Sequence, residues 1–240
     1  AVLGAAHIGT LRAIKEAGLE ISFVAGTSID ALVGALFAFG KSWQEIQEIA
    51  LDLRWIDISQ LSISQFGLLS NNKMGKLLED AIGDQQIEDA QIPFAAVATD
   101  ISLGTPVTFT KGRVIPAVQA STCIPGVFSP VEYQDKFLVD GGLVENVPVE
   151  AVKELGATQV ICADLTRRRH SDKPENIVDV LMNSYYITMR NLTKKSLEKA
   201  DVVIAPDLSD YNLADTKQIE SLIDIGYAEA KKELHKAKVT

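Results

Sequence analysis

The sequence predicts an α/β protein, a three-layer α/β/α sandwich with a mostly parallel central sheet. Short apolar runs of strand character alternate with stretches of helical periodicity along the 240 residues. Strands separated by helices are joined by right-handed crossovers, which leave the strands parallel and cover both faces of the sheet. We find neither a linker, an internal repeat nor a low-complexity segment, so residues 1–240 are expected to form a single domain.

The expected strands and helices follow one another from the first residues onward. The run "AVL" at residues 1–3 is expected as a short strand, and helical periodicity follows near Ile8 to Glu16. "ISFVAG" is rich in β-branched and aromatic residues and precedes an apolar helix from Ile29. Later strands are expected at "FAAVATD", "KFLVD", "TQVICADL" and "VVIAPD", with helices near Val149 to Glu154, before "VVIAPD" and at the C-terminal end.

Two segments break this alternation. "SLGTPVTFT" at residues 102–110 places a Gly-Thr pair between short β-type runs, which suggests a local hairpin. Residues 55–72 have neither helical nor alternating periodicity, and we interpret them as a loop-rich cap over a cleft.

The composition of the chain limits which classes of partner and which cellular compartments are expected. The formal net charge of −9 argues against nucleic acid and gives long-range repulsion from anionic membranes. Two cysteines, Cys123 and Cys162, are too few for a disulfide framework, and we expect both to be reduced. No secretory leader and no run of about 18 apolar residues is found, so a cytoplasmic location is expected, with a removed N-terminal targeting segment left open.

Ser28 lies at a corner where a strand turns into a helix. In "FVAGTSIDALVGALFA" the strand-like run ends in Gly26-Thr27-Ser28, and an apolar helical run follows. Such an elbow exposes a nucleophile at the carboxyl edge of a sheet, near the positive end of a helix dipole. The second glycine of the usual Gly-x-Ser-x-Gly pattern is replaced by Asp30. A plain N-capping serine is the alternative interpretation.

Asp140 ends a second strand, in "FLVDGGLVENVPVEAV". Strand-end carboxylates of α/β sheets reach the edge where ligands bind, so Asp140 is a candidate general base for Ser28. The alternative is an Asp-Gly turn in which the side chain caps local backbone groups. The three histidines, His7, His170 and His235, do not follow a strand end after Ser28, and we therefore expect no histidine base.

These residues resemble the bacterial patatin-like phospholipases. The resemblance spans about two thirds of the chain, through "GAAHIG" at residues 4–9, "GTS" at 26–28, "ATD" at 98–100, "ASTCIPGVFSPV" at 120–131 and "DGGLVENVP" at 140–148. It implies a patatin-like fold and hydrolysis of lipid acyl esters, of the phospholipase A or lysophospholipase type, by a Ser-Asp dyad of Ser28 and Asp140. It implies no metal or other cofactor. The oxyanion and substrate-binding positions that it implies are Gly4, Gly26, Ile29, Gly141 and Gly142.

Two departures from the family pattern bear on activity. The glycine-rich oxyanion loop is nearly absent, and we interpret Gly4 as its surviving end, with a loop missing from the sequence between Leu3 and Gly4. Loss of one hydrogen-bond donor to the oxyanion lowers the catalytic rate roughly a hundredfold to a thousandfold, so absence of this loop would strongly reduce activity. The charge of Asp30 opposes an oxyanion, so the exchange Asp30→Gly is expected to raise hydrolysis about tenfold or more.

Other readings of the same motifs remain open. The two departures from the family pattern are also consistent with a patatin-like protein that binds lipid or has a regulatory role but does not hydrolyse a substrate. A dinucleotide-binding oxidoreductase follows more weakly from Gly4-x-Ala6-x-x-Gly9. Cys123 is expected to be a packing residue, and "TRRRH" at residues 166–170 is expected to be a solvated loop.

Core packing explains most apolar positions of the long helix around Ile177 to Leu197. A lipid-facing surface on this helix and transient membrane contact stay open. The oligomeric state also stays open.

Overall fold

A mixed five-stranded sheet carries the two strands that end at the candidate site. The computed structural model describes residues 2–52, 60–64, 67–166, 173–211 and 215–238. The strands are β1 (Val24–Thr27), β2 (Gln60–Ser64), β3 (Gly67–Ser70), β4 (Phe94–Asp100), β5 (Thr105–Phe109), β6 (Gly126–Phe128), β7 (Val131–Tyr133), β8 (Lys136–Asp140), β9 (Ile161–Ala163) and β10 (Val202–Ile204).

Helices follow or separate most of these strands. The α-helices are α1 (Ala5–Glu16), α2 (Ile29–Ala38), α3 (Trp43–Asp52), α4 (Asn72–Ile82), α5 (Val114–Ser121), α6 (Val149–Glu154), α7 (Ile177–Leu197) and α8 (Ile219–Lys236), and short 3-10 turns span Val2–Gly4, Ile87–Asp89, Gly141–Leu143 and Thr216–Gln218.

The register of β4 brings the ends of β1 and β8 together. β5 pairs antiparallel along one edge of β4, so β1 and β8 must share the opposite edge. β1 runs parallel to β4 and ends with Thr27 opposite Val97, whereas β8 runs antiparallel and ends with Asp140 opposite Ala98. The carboxyl ends of the two strands therefore meet head to head, across consecutive residues of β4.

The strand directions correct the expectation of a mostly parallel sheet. β1 with β4 and β9 with β10 are parallel, but β4 pairs antiparallel with both β5 and β8, and β7 with β8. The antiparallel pairs β4–β5 and β7–β8 are hairpins, which need no helical crossover. The β7–β8 turn uses Gln134 and Asp135, both with positive φ (46° and 61°). The sequence predicted a hairpin near β5 but contained no signal for the one between β7 and β8.

Helices cover both sides of the sheet, which confirms the α/β fold class. Phe94, Ala96 and Ala98 of β4 belong to the main core, together with buried residues of α2 and α5. Ala95 and Val97 project to the other face, where they pack with Ala151 of α6. Successive side chains of β4 therefore point to opposite faces of the sheet, and each set packs in a separate apolar layer.

The first residues differ from the sequence-based expectation. "AVL" is not a strand, because Val2–Gly4 forms a buried 3-10 turn that continues directly into α1. Three apolar residues are too few to distinguish a strand from a helical turn. The expectation that a glycine-rich loop is missing between Leu3 and Gly4 stays a prediction.

The helical start of the chain also overturns the dinucleotide-binding interpretation. That fingerprint needs a glycine-rich turn between a strand and a helix. Here Gly9 lies within α1, where a Cβ would overlap the backbone of Ile223 in α8, and Gly226 faces Ala6 in the same way. Gly9 and Gly226 therefore allow α1 and α8 to cross in close backbone contact.

The two irregular segments have separate outcomes. A hairpin is present, but it pairs β4 with β5 through a turn at residues 101–104, so the predicted Gly-Thr turn is displaced and Thr105 begins β5. Within the predicted cap at residues 55–72, β2 pairs with β3 and β3 with β6 in a three-stranded sheet. The rest of the cap, residues 55–59 and 65–66, lies outside the described residues.

Candidate active site

Ser28 occupies a strained corner between β1 and α2. Its backbone has φ 61° and ψ −131°, a conformation that non-glycine residues rarely adopt. Although Ser28 immediately precedes α2, its side chain makes no capping hydrogen bond. Since the Ser28 side chain does not cap α2, the structure favours the elbow interpretation over the N-cap alternative. The strained backbone instead leaves the hydroxyl free of a capping role.

Two small residues hold this corner in place. Gly26 allows close packing of β1 on α2, because a Cβ there would lie 2.5 Å from the backbone nitrogen of Ala31. The backbone N–H of Ser28 donates to Ser121 Oγ at 2.9 Å, and the Ser121 hydroxyl donates to the carbonyl of Val97 at 2.6 Å. Ser121 is completely buried, so the elbow is tied to β4 and α5 through one side chain.

Asp140 is fixed at the end of β8 by its own backbone and side chain. Its N–H donates to the carbonyl of Cys123 at 2.8 Å, and its carbonyl accepts from Thr99 Oγ1 at 2.9 Å. The side-chain Oδ1 accepts from the N–H of Gly142 at 2.8 Å, which caps the turn Gly141–Leu143. The capping alternative is thus correct for one carboxylate oxygen.

The second oxygen of Asp140 has a different environment. Oδ2 is buried and makes no hydrogen bond of ordinary geometry within the described part of the chain. Burial raises the pKa of Asp140 from 3.8 to about 6, while the Ser28 hydroxyl, the Gly142 N–H and Tyr185 partly offset that rise. Asp140 is therefore a carboxylate of raised basicity beside Ser28, with one oxygen available to accept a proton.

A cavity of about 590 Å³ opens beside these two residues. Its lining includes Ser28, Ile29 and Asp140. The other lining residues are both apolar and polar: Leu3, Ile124, Leu165, Met182, Tyr185, Tyr186 and Met189, together with Thr27, Asp30, Asn146, Thr166, Lys173, Glu175, Asp179, Asn183 and Arg190. The apolar and aromatic side chains of this lining offer a surface for an acyl chain, and the polar and charged side chains offer one for a polar group.

The predicted glycines take structural positions around this cavity. Among the described residues that line it, Ile29 is present, whereas Gly4, Gly26, Gly141 and Gly142 are not. Gly4 packs on Ile29, with a Cβ position 2.5 Å from Ile29 Cγ1, and Gly141 packs on the backbone of Val97. The oxyanion role of Gly4 and Ile29 stays a prediction, with Ile29 favoured because the first N–H groups of a helix have no intrahelical acceptor.

Asp30 lines the cavity but has a partner that sequence reasoning missed. Its Oδ1 lies 2.6 Å from Nε2 of His7, a buried residue of α1. This pair links α1 to α2 and directs the carboxylate toward the imidazole. The two residues are 23 positions apart in the sequence. The only sequence signals for the pair were the histidine within the motif "GAAHIG" and the acidic residue Asp30 at a position where the family pattern has glycine.

Tyr185 is the second residue that sequence reasoning missed. A Cβ on Gly142 would lie 2.5 Å from the Tyr185 hydroxyl and 3.2 Å from Asp140 Oδ1, so both oxygens converge on this glycine. Burial raises the pKa of Tyr185 well above its usual value, and the charge of Asp140 adds to the rise. The phenol remains protonated and able to donate. Its position in α7, 45 residues after Asp140, gave no sequence signal of contact.

The other candidates have ordinary structural roles. Both cysteines are free and buried, and burial raises the pKa of the Cys123 thiol to about 12 while Sγ donates to the Ser129 carbonyl. Cys123 is a packing residue, as expected. Residues 167–170 of "TRRRH", including His170, lie outside the described residues. No three His, Cys, Asp or Glu side chains of the described ranges converge as metal ligands.

The fold and this corner define an α/β protein that presents a strand-end serine beside a buried carboxylate. The family description "Patatin-like phospholipase" matches residues 1–153, which contain both Ser28 and Asp140. The chain belongs to the patatin-like phospholipase family. This confirms the resemblance drawn from the sequence motifs, and the family is one of lipid hydrolases.

Individual relatives agree with this family. An uncharacterised NTE family protein of Mycobacterium tuberculosis is 35% identical over 167 residues, 68% of this chain and 46% of that protein. Neuropathy target esterase sws of Drosophila melanogaster is 32% identical over 177 residues, 70% of this chain and 12% of that protein. The chain thus spans less than half the length of these relatives. The crystal structure of VipD from Legionella pneumophila shares the fold, with a TM-score of 0.62 at 13% identity over 99% of this chain and 65% of VipD.

Proposed function

We propose that the chain hydrolyses acyl esters of lipids, with phospholipid or lysophospholipid as substrate, through a dyad of Ser28 and Asp140. The observation that carries this proposal is the buried Oδ2 of Asp140, which makes no hydrogen bond of ordinary geometry with the described residues, beside a serine whose backbone is strained and whose hydroxyl does not cap α2. The family name and the esterase name of the fly relative support the reaction class. The apolar and aromatic side chains in the cavity lining offer a surface for the acyl chain.

The first half of the reaction is acylation of Ser28. Asp140 removes the Ser28 hydroxyl proton while Oγ forms a bond to the ester carbonyl carbon. The positive end of α2, with the N–H of Ile29, stabilises the negative charge that develops on the carbonyl oxygen. The carbon–oxygen ester bond then breaks, and the alcohol leaves with the proton held by Asp140.

The second half returns the enzyme to its starting state. Water attacks the acyl-serine as Asp140 removes one of its protons, and the fatty acid and the free Ser28 hydroxyl are released as that proton returns to Ser28. Asp140 thus acts as base and acid in turn, which its pKa of about 6 favours because both protonation states are accessible near neutral pH. The capping bond from Gly142 keeps Oδ1 fixed throughout.

Serine-directed labelling tests this assignment. A fluorophosphonate probe is expected to modify the folded chain at Ser28, as mapped by peptide mass spectrometry, and to leave Ser28→Ala unlabelled. An adduct at another residue would overturn the nucleophile assignment. Labelling at Ser28 without ester turnover, combined with retained lipid binding, would support the alternative of a non-catalytic lipid-binding or regulatory protein.

A further inference from the structure

Helix α7 has two faces of different chemistry. Successive residues of an α-helix are rotated by about 100°, so residues three, four, seven and ten positions apart share a face. One face points away from the protein and exposes four apolar side chains: Ile177 (69% exposed), Leu181 (60%), Ile187 (48%) and Val180 (45%). We call these four residues the outer face of α7. Large aliphatic side chains clustered on one helix face in this way indicate an interaction surface.

The opposite face of the same helix forms a wall of the active-site cavity. That wall includes the residues Met182, Tyr185, Tyr186 and Met189. Met182, Tyr186 and Met189 lie about half a helical turn from the centre of the outer face, whereas Tyr185, four residues after Leu181, lies at its border. Helix α7 therefore lies between the cavity that is proposed to receive an acyl chain and an exposed apolar surface. It also lies beyond residue 153, where the match to the family description ends.

Charge distinguishes α7 from the rest of the chain. The chain as a whole carries a formal net charge of −9. Within α7 the only carboxylate is Asp179, against three cations at Arg190, Lys194 and Lys195. Asp179 lines the cavity and does not belong to the outer face. The outer face thus lacks the negative charge that would repel lipid headgroups.

We propose that the outer face of α7 inserts into the surface of a lipid bilayer and holds the cavity close to that surface. This inference rests on the proposed lipid substrate of the cavity. A helix with an exposed apolar face lies in the interface plane of a bilayer, and its binding scales with the apolar area that it buries. No described helix is long and apolar enough to cross a membrane. Contact of α7 with the bilayer shortens the path of a water-insoluble substrate to the cavity that α7 lines.

Vesicle binding by the full chain tests the proposal. Sucrose-loaded phosphatidylcholine vesicles are mixed with the unchanged chain, with Leu181→Asp and with Leu51→Asp. Leu51 is the matched control, because it is a 43% exposed leucine of α3 and lies outside the lining of the active-site cavity. We expect Leu181→Asp to weaken cosedimentation about tenfold or more and Leu51→Asp to leave it within about twofold. Equal binding by all three would overturn the proposal.

A second measurement separates this proposal from the proposed function. Leu181→Asp is expected to hydrolyse a soluble, monomeric short-chain ester at the unchanged rate and to hydrolyse phosphatidylcholine in vesicles at least about tenfold more slowly. If no variant hydrolyses either substrate but Leu181→Asp alone loses vesicle binding, the catalytic proposal fails and the membrane proposal stands. If Leu181→Asp instead breaks a dimer in size-exclusion chromatography without changing vesicle binding, the outer face contacts a second copy and the membrane proposal is wrong.

Discussion

The backbone N–H of Ser28 donates to the hydroxyl of Ser121, 93 residues away in the sequence and 2.9 Å away in the structure. The same hydroxyl donates to the Val97 carbonyl, so one buried side chain joins the elbow to the centre of the sheet. A residue with φ of 61° persists only where its surroundings determine its conformation. Ser121 is a principal part of those surroundings.

Ser121→Ala is expected to destabilise the protein and to impair Ser28 together. The exchange leaves the Ser28 N–H and the Val97 carbonyl without this partner, at a cost of about 1–3 kcal/mol for each buried group that stays unsatisfied. The free energy of unfolding by urea and the rate of fluorophosphonate labelling are the measurements. Ser209→Ala, at an exposed loop position, is the control. Unchanged stability and labelling in Ser121→Ala would show that the elbow holds its shape unaided.

Asp140→Asn is expected to lower ester hydrolysis by about 10²–10⁴, the usual contribution of a general base. Asparagine keeps the size of the side chain and an oxygen for the Gly142 N–H, but it accepts no proton. The measurement is steady-state turnover of a short-chain ester, with circular dichroism to confirm folding. Turnover equal to that of the unchanged chain in a folded variant would place the base elsewhere.

The same exchange should change how stability depends on pH. The folded-state pKa of Asp140 is raised from 3.8 to about 6, so the folded state holds its proton more tightly than the unfolded state. Its favourable contribution is fully present below about pH 4 and is lost as the pH rises through about 6, a change of roughly 3 kcal/mol. Relative to the unchanged chain, the melting temperature of Asp140→Asn should therefore rise between pH 4 and pH 7. A constant difference across that range would contradict the burial argument.

Tyr185→Phe is expected to move the acid limb of the kcat/KM profile to higher pH. The Tyr185 hydroxyl lowers the pKa of Asp140, so its removal lets burial raise that pKa further. Tyr186→Phe is the control, because Tyr186 lines the same cavity and packs edge-to-face on Tyr185 without being among the groups that shift the pKa of Asp140. A shift toward lower pH in Tyr185→Phe, or equal shifts in both variants, would refute the assigned contact.

The pairing of Asp30 with His7 revises the effect expected for Asp30→Gly. From the sequence alone, removal of an opposing charge predicts about a tenfold gain in hydrolysis. The structure shows that Oδ1 of this carboxylate is engaged by a buried imidazole, so the exchange also removes a link between α1 and α2. We now expect a gain below tenfold, accompanied by a lower melting temperature. A full tenfold gain at unchanged melting temperature would restore the expectation drawn from the sequence.

Local patterns predicted the parts of the site that depend on local structure. The strand ends at Ser28 and Asp140 follow from apolar runs that stop at a turn, and both residues line the same cavity. The direction of β8 did not follow, because it depends on a two-residue hairpin at Gln134 and Asp135 without a glycine signal. The contacts of His7 and Tyr185 depend on how distant helices pack, which periodicity does not encode.

The head-to-head arrangement of β1 and β8 along one edge of β4 makes the spacing of Ser28 and Asp140 a property of backbone pairing. Thr27 and Asp140 lie opposite neighbouring residues of β4, so the pairing of the two strands with β4 sets the distance between Asp140 and Ser28, which follows Thr27. A slip of one residue in either ladder would move one partner by about 3.3 Å and turn its side chain to the other face of the sheet. Exchanges of side chains along β4 therefore leave this spacing intact as long as the new side chains pack, whereas one residue inserted between Val97 and Ala98 would move Asp140 away from Ser28.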